Sequence, residues 1–133
     1  MAKATLRAVL RRPLPEVWDL VTNLDRWEWR SDLEKLRRLD ERTFAEHARG
    51  GFVTRFTITE LRPGERYAFE LENENLCGCW SGTFRETAAG TELVFTEDVT
   101  AKKLWMRPLT GWYLKRQQAR YLRDLRRALG EDG

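Results

Sequence analysis

The chain has 133 residues, 41% apolar and 34% charged, with a net charge of +3. That length suits one domain spanning residues 1–133, and no apolar run reaches the roughly 18 residues that cross a bilayer. Nine Lys or Arg against three acids follow from Lys102 onward, while Glu65 to Asp98 hold eight acids against two Arg, an asymmetry unlike a uniform nucleic-acid coat.

In chain order, Lys3 to Arg12 alternates, with Ala4, Leu6, Ala8 and Leu10 on one side, as in a half-buried strand. Pro13 and Pro15 end it, and Pro15 suits the first turn of a helix. Val17, Val21 and Leu24 recur at helical spacing, and a second short helix is predicted over Asp25 to Arg30. This stretch concentrates Trp18, Trp27 and Trp29, whose large apolar areas suit the mouth of something built by the rest of the chain.

Six strands are predicted from Ser31 to Lys102: Leu33–Glu41, Thr43–Arg49, Phe52–Leu61, Arg66–Asn73, Leu76–Thr87 and Thr91–Ala101. Gly50-Gly51, Arg62-Pro63-Gly64-Glu65 and Ala88-Ala89-Gly90 are the turns between them. Such short links predict an antiparallel meander. After Lys103 the period lengthens. Leu114, Tyr121, Leu125 and Leu129, with Gln117, Gln118, Leu122 and Ala128, share one broad helical arc, and Gly130 closes it. The expected fold class is therefore α+β: a seven-stranded antiparallel sheet around a long C-terminal helix, with two short helices after strand 1. A twisted sheet of that width cannot meet one helix everywhere, which leaves a pocket beside the small helices.

The PEVWDLVTNLDRWEWRSD segment, the Gly-Gly-Phe strand start, the CWSGTF strand and the YLKRQQARYLRDLRRAL helix together resemble the SRPBCC superfamily. This START-like, helix-grip group includes polyketide cyclases and aromatases, lipid-transfer domains and pollen-allergen-like carriers. The resemblance covers essentially the whole chain. It implies a helix-grip fold and a cavity between sheet and helix that holds an apolar or amphipathic ligand. It says little about activity, because members handle very different molecules.

Cys77 and Cys79 form a C-x-C pair on one strand face, and the single histidine, His47, lies strands away, so no four-ligand metal site is expected. Opposite in parity to Phe44, His47 is expected to point outward. Hydrolase elbows, phosphate loops and dinucleotide fingerprints are absent, and no cofactor is expected. Phe56, Phe69, Leu71, Trp80, Phe84 and Phe95 on the strands, with Leu114 and Tyr121 on the helix, are expected to wall the cavity. Glu97 shares the inward parity of Leu93, Phe95 and Val99, Glu46 that of Phe44, and Asn73 that of Phe69 and Leu71. With Gln117 and Tyr121 these are the candidate polar contacts, and Trp29 is placed at the entrance. A carboxylate at Glu97 should favour a ligand carrying a hydroxyl or amine, since a hydrogen bond offsets its desolvation.

Three functions follow. The favoured one is binding or transport of a small hydrophobic or amphipathic molecule. The alternatives are a polyketide cyclase or dehydratase using the same cavity, and an interaction module using the basic C-terminal helix. The N-terminus lacks an uninterrupted apolar core, and two cysteines agree with a reducing compartment, so a cytoplasmic location is expected.

Overall fold

The computed structural model describes residues 2–131. Strand β1 (Ala2–Leu10) leads into helix α1 (Leu14–Thr22). Then follow β2 (Leu33–Arg38), β3 (Thr43–Ala48), β4 (Val53–Arg62), β5 (Arg66–Glu72), β6 (Leu76–Thr87) and β7 (Gly90–Ala101). A 3₁₀ turn at Leu104–Met106 precedes α2 (Arg107–Ala128). The seven strands form one antiparallel sheet in the order β1-β7-β6-β5-β4-β3-β2. The meander and the long final helix match the sequence expectation.

Local chemistry explains the elements. Pro15 sits at the start of α1, where its missing N–H costs nothing, and Val17, Leu20 and Val21 form the buried stripe. Gly64 takes a φ of 76° in the turn after Pro63, and Glu65 N–H closes it onto the Arg62 carbonyl at 2.9 Å. Proline followed by a left-handed glycine is the signature of a type II turn. The β4–β5 ladder shifts register between Ile58 and Glu60, a bulge that bends the sheet into a concave face.

One expectation fails. The stretch over Asp25 to Arg30 is not a second helix but two separate turns, closed by Arg26 N–H to the Asn23 carbonyl and Arg30 N–H to the Trp27 carbonyl. Geometry supplies the reason. β1 and β2 lie at opposite edges of the sheet. Six strand spacings of about 4.8 Å separate them. A helix advances only about 1.5 Å per residue, too little for the short link after α1 to cross that width.

Helix α2 packs against β1 and β7 at one side of the concave face. Two apolar cores result. One joins α1 with Tyr67, Phe84, Leu93, Phe95 and Leu125. The other joins Phe44, Phe56, Leu71, Val99 and Leu114. Ile58, Phe69 and Trp80 border both, and beside them the helix stands clear of the sheet.

Candidate functional site

The space between α2 and the concave sheet is a cavity of about 400 Å³. Its floor is a ladder of aromatic rings from successive strands. Phe44 stacks on Phe56 with centroids 4.8 Å apart, and Phe69 stacks on Trp80 at the same distance. Phe56 meets Phe69 edge-on at 5.0 Å, and Trp80 reaches Phe95 at 4.9 Å. Strand alternation delivers this row: each ring is an inward residue whose cross-strand partner is also inward.

Gly82 makes the row possible. It lies two residues beyond Trp80 on the same face, and a Cβ there would stand 2.6 Å from the Trp80 ring. Gly82→Ala should therefore push the indole toward the cavity and cost about 1–3 kcal/mol by overpacking. Urea unfolding would measure the loss, and an unchanged midpoint would show that the ring has room to move.

Polar groups gather within this apolar shell. The half-buried Arg30 guanidinium lies 2.6 Å from Glu46 Oε2 and 2.9 Å from Asp32 Oδ2, and 5.1 Å over the Tyr121 ring. Burial weakens its proton affinity, but Glu46 and then Asp32 overcome that and hold it more firmly protonated than usual. Burial likewise keeps the Tyr67 and Tyr121 hydroxyls protonated well above the ordinary range. The Tyr67 hydroxyl is buried without a hydrogen-bond partner.

Glu97 differs from Glu46. Its cross-strand neighbours are Ala4 and Trp80, so neither offers a counter-charge. Burial, and then the Glu46 carboxylate, push its carboxyl up to about 7 against the pull of Arg30. Near neutral pH it therefore both donates and accepts.

Trp29, Phe56, Phe69, Leu71, Asn73, Trp80, Phe95, Glu97, Leu114, Gln117 and Tyr121 all line the cavity. Phe84 does not. It faces the same side of the sheet but lies farther along β6, under Trp18 of α1, with ring centroids 5.0 Å apart. Asn73 lines the wall with its polar atoms engaged: Oδ1 accepts from Asn75 and Leu76 N–H, and Nδ2 donates to Thr54. Gln117 Nε2 donates to the Tyr113 hydroxyl rather than to Tyr121. Trp29 is half-buried on a turn, donates to the Arg26 carbonyl and packs edge-on against Tyr121. His47 is not on the cavity wall. Among the described residues no cluster of His, Cys, Asp or Glu could hold a metal ion.

Sequence reasoning missed Arg30 and Tyr67 as parts of this site. It also missed Trp105, Leu109 and Trp112, which rim the cavity's mouth. Arg30 had one local signal, the neighbouring Asp32. The inward parity of Glu46 was visible, but their meeting depends on how the β1–β2 connection crosses the sheet. Asp124 ties that connection down. It is buried in α2 and accepts from both the N–H and hydroxyl of Ser31 at 2.8 Å, while Arg120 reaches the Ser31 carbonyl at 2.9 Å.

A sheet curled around one long helix with an aromatic cavity between them defines a helix-grip fold. The chain belongs to the polyketide cyclase / dehydrase and lipid transport family, whose model matches residues 1–130. Solved structures agree on the fold. A START superfamily protein from Mycobacterium smegmatis is 9% identical with a TM-score of 0.82, covering 94% of each chain. A protein from Mesorhizobium loti is 16% identical with a TM-score of 0.80, covering 98% of each chain. DynU16, from the dynemicin biosynthetic locus, is 16% identical with a TM-score of 0.76, covering 98% of this chain and 48% of that one. Among curated proteins, none matches this chain.

Proposed function

We propose that the protein binds a small hydrophobic or amphipathic molecule in this cavity, its apolar body on the aromatic ladder and an oxygen-bearing tip at Glu97. The observation that carries this reading is a carboxyl on an aromatic wall with no ion-pair or hydrogen-bond partner among the described residues. A desolvated polar group in that position is unfavourable until something bonds it. The Tyr67 side chain also lines the wall, and its buried hydroxyl has no hydrogen-bond partner among the described residues. The family's small-molecule chemistry supports the same reading, and a cytoplasmic location fits it.

Naphthol and naphthalene test the proposal, because they differ only in a hydroxyl. Naphthol should bind more tightly by about fivefold to tenfold, the worth of one hydrogen bond to a desolvated group. Glu97→Leu should remove that difference while naphthalene affinity stays the same. Equal binding of both probes to the unaltered protein, measured by titration calorimetry, would reject the role of Glu97.

A second reading has one specific observation in its favour. A carboxyl held near pH 7 inside an apolar cavity is suited to general acid–base work. A cyclase or dehydratase acting on a polyketide-like substrate would use Glu97 to move a proton. Glu97→Gln would then abolish turnover of such a substrate while leaving its capture nearly intact. A bound substrate that is recovered unchanged from the unaltered protein points to binding alone.

A further inference from the structure

The cavity does not account for the exposed apolar side chains around the start of α2. Among the described residues, five of the ten exposed large hydrophobic side chains fall within Leu104 to Tyr113. Leu104 is 74% exposed, Trp105 70%, Leu109 57% and Trp112 63%. The others are scattered over β1, β4 and the β2–β3 and β3–β4 turns, which is ordinary for a protein surface. These are contiguous. Trp105 on the 3₁₀ turn is followed at spacings of four and three by Leu109 and Trp112 on α2, and together they form a stripe. That stripe is separate from the buried face of the same helix, which carries Thr110, Leu114, Gln118 and Leu125. The first half of α2 is thus apolar on two sides, and only one of them has a partner.

Charge indicates what covers the other. No Asp or Glu occurs between Lys102 and Arg123, while seven Lys or Arg do. Lys103 and Lys115 are exposed at either end of the stripe, and neither takes part in an ion pair among the described residues. Arg116 lies over the Trp112 ring at 5.3 Å and borders the same patch. Tryptophan and tyrosine among exposed aliphatics, flanked by unpaired lysines, suit the headgroup region of an anionic bilayer. An apolar protein partner has no need of the surrounding positive charge. The helix is not long and apolar enough to cross a membrane, so the contact is interfacial.

We propose that the segment Leu104 to Arg116 docks the protein on an anionic membrane surface, with Trp105 and Trp112 inserted among the headgroups and Lys103 and Lys115 against lipid phosphates. Trp105, Leu109 and Trp112 also rim the mouth of the cavity, so docking turns that mouth toward the lipid. The proposal deepens the ligand-binding reading by naming where the ligand is exchanged, yet docking can be measured without any ligand.

The test is sedimentation of the full chain with vesicles of phosphatidylcholine alone or mixed with phosphatidylglycerol. Binding should require phosphatidylglycerol and weaken steeply with salt. Tryptophan emission should be quenched by bromine-bearing lipid. Lys103→Glu combined with Lys115→Glu should weaken vesicle binding by about tenfold or more while leaving naphthol affinity unchanged. Trp105→Ala combined with Trp112→Ala should remove both the binding and most of the quenching. Absence of binding to the mixed vesicles, or binding without quenching, would overturn the proposal. So would a concentration-dependent dimer in lipid-free buffer that the tryptophan variant abolishes, because the patch would then belong to a second copy. Loss of naphthol binding in the unaltered protein would instead count against the ligand-binding reading and leave docking standing.

Discussion

Arg30→Met should destabilise the protein by about 3–5 kcal/mol near pH 8, the largest effect expected of any single cavity substitution. Methionine matches the length of the arginine stem but leaves Glu46 and Asp32 without the guanidinium that each now contacts, at 2.6 and 2.9 Å. It also removes the cation that offsets the repulsion of Glu97 by Glu46. Removing one partner of a half-buried cluster exposes the others to their full desolvation cost, which is why the loss exceeds that of a surface pair. The loss should shrink in acid, where carboxylates are protonated and no longer need a counter-charge. Urea unfolding at several pH values would measure it. A loss under about 1 kcal/mol throughout would mean that water already screens the cluster.

Glu97→Gln should act in the opposite direction. The carboxyl of Glu97 rises from an ordinary 4.5 to about 7 in the folded protein. The folded state therefore holds this proton more tightly than the unfolded chain does. Its contribution to stability is complete below about pH 4.5 and is lost as pH rises through about 7. A shift of that size corresponds to about 3 kcal/mol at most, and water admitted to the cavity reduces it to about 1–3 kcal/mol. Glutamine keeps the shape and carries no charge. The variant should be more stable than the parent by that amount near pH 8 and equal to it near pH 4. Glu97→Leu should follow the same trend. A parent whose stability does not fall between those pH values would show that the carboxylate is well solvated. Unfolding of Glu97→Leu would assign the carboxylate a structural role.

Both predictions rest on a site that was only partly legible in the sequence. The inward facing of Phe56, Phe69, Trp80, Phe95 and Glu97 follows from a period of two along single strands, and no distant residue can reverse that alternation without a bulge. The order of strands followed as easily, since short turns leave consecutive strands little choice but to pair. The broad arc of α2 and its stop at Gly130 are likewise local.

What the sequence could not supply was distance measured along a strand or across the sheet. Phe84 has the right parity, but it lies four positions beyond Trp80, and that offset places it under α1 instead of on the cavity wall. The sequence predicts a short helix over Asp25 to Arg30. That stretch is nonetheless drawn into turns because its two ends are anchored at opposite edges of the sheet. Asn73 and Gln117 carry side chains fit for a ligand, yet a turn and Tyr113 claim them first. Arg30 meets Glu46 only because that crossing segment, fastened to α2 through Ser31 and Asp124, sets the guanidinium at the mouth of the sheet. Periodicity is a property of neighbours along the chain, and so the sequence by itself determined which faces are apolar, how the strands follow one another and where the long helix begins and ends. Which polar groups meet inside the cavity depends on how far the sheet curls and where the chain crosses it. Only the tertiary structure decided that, because those positions are set by packing between segments that no local pattern connects.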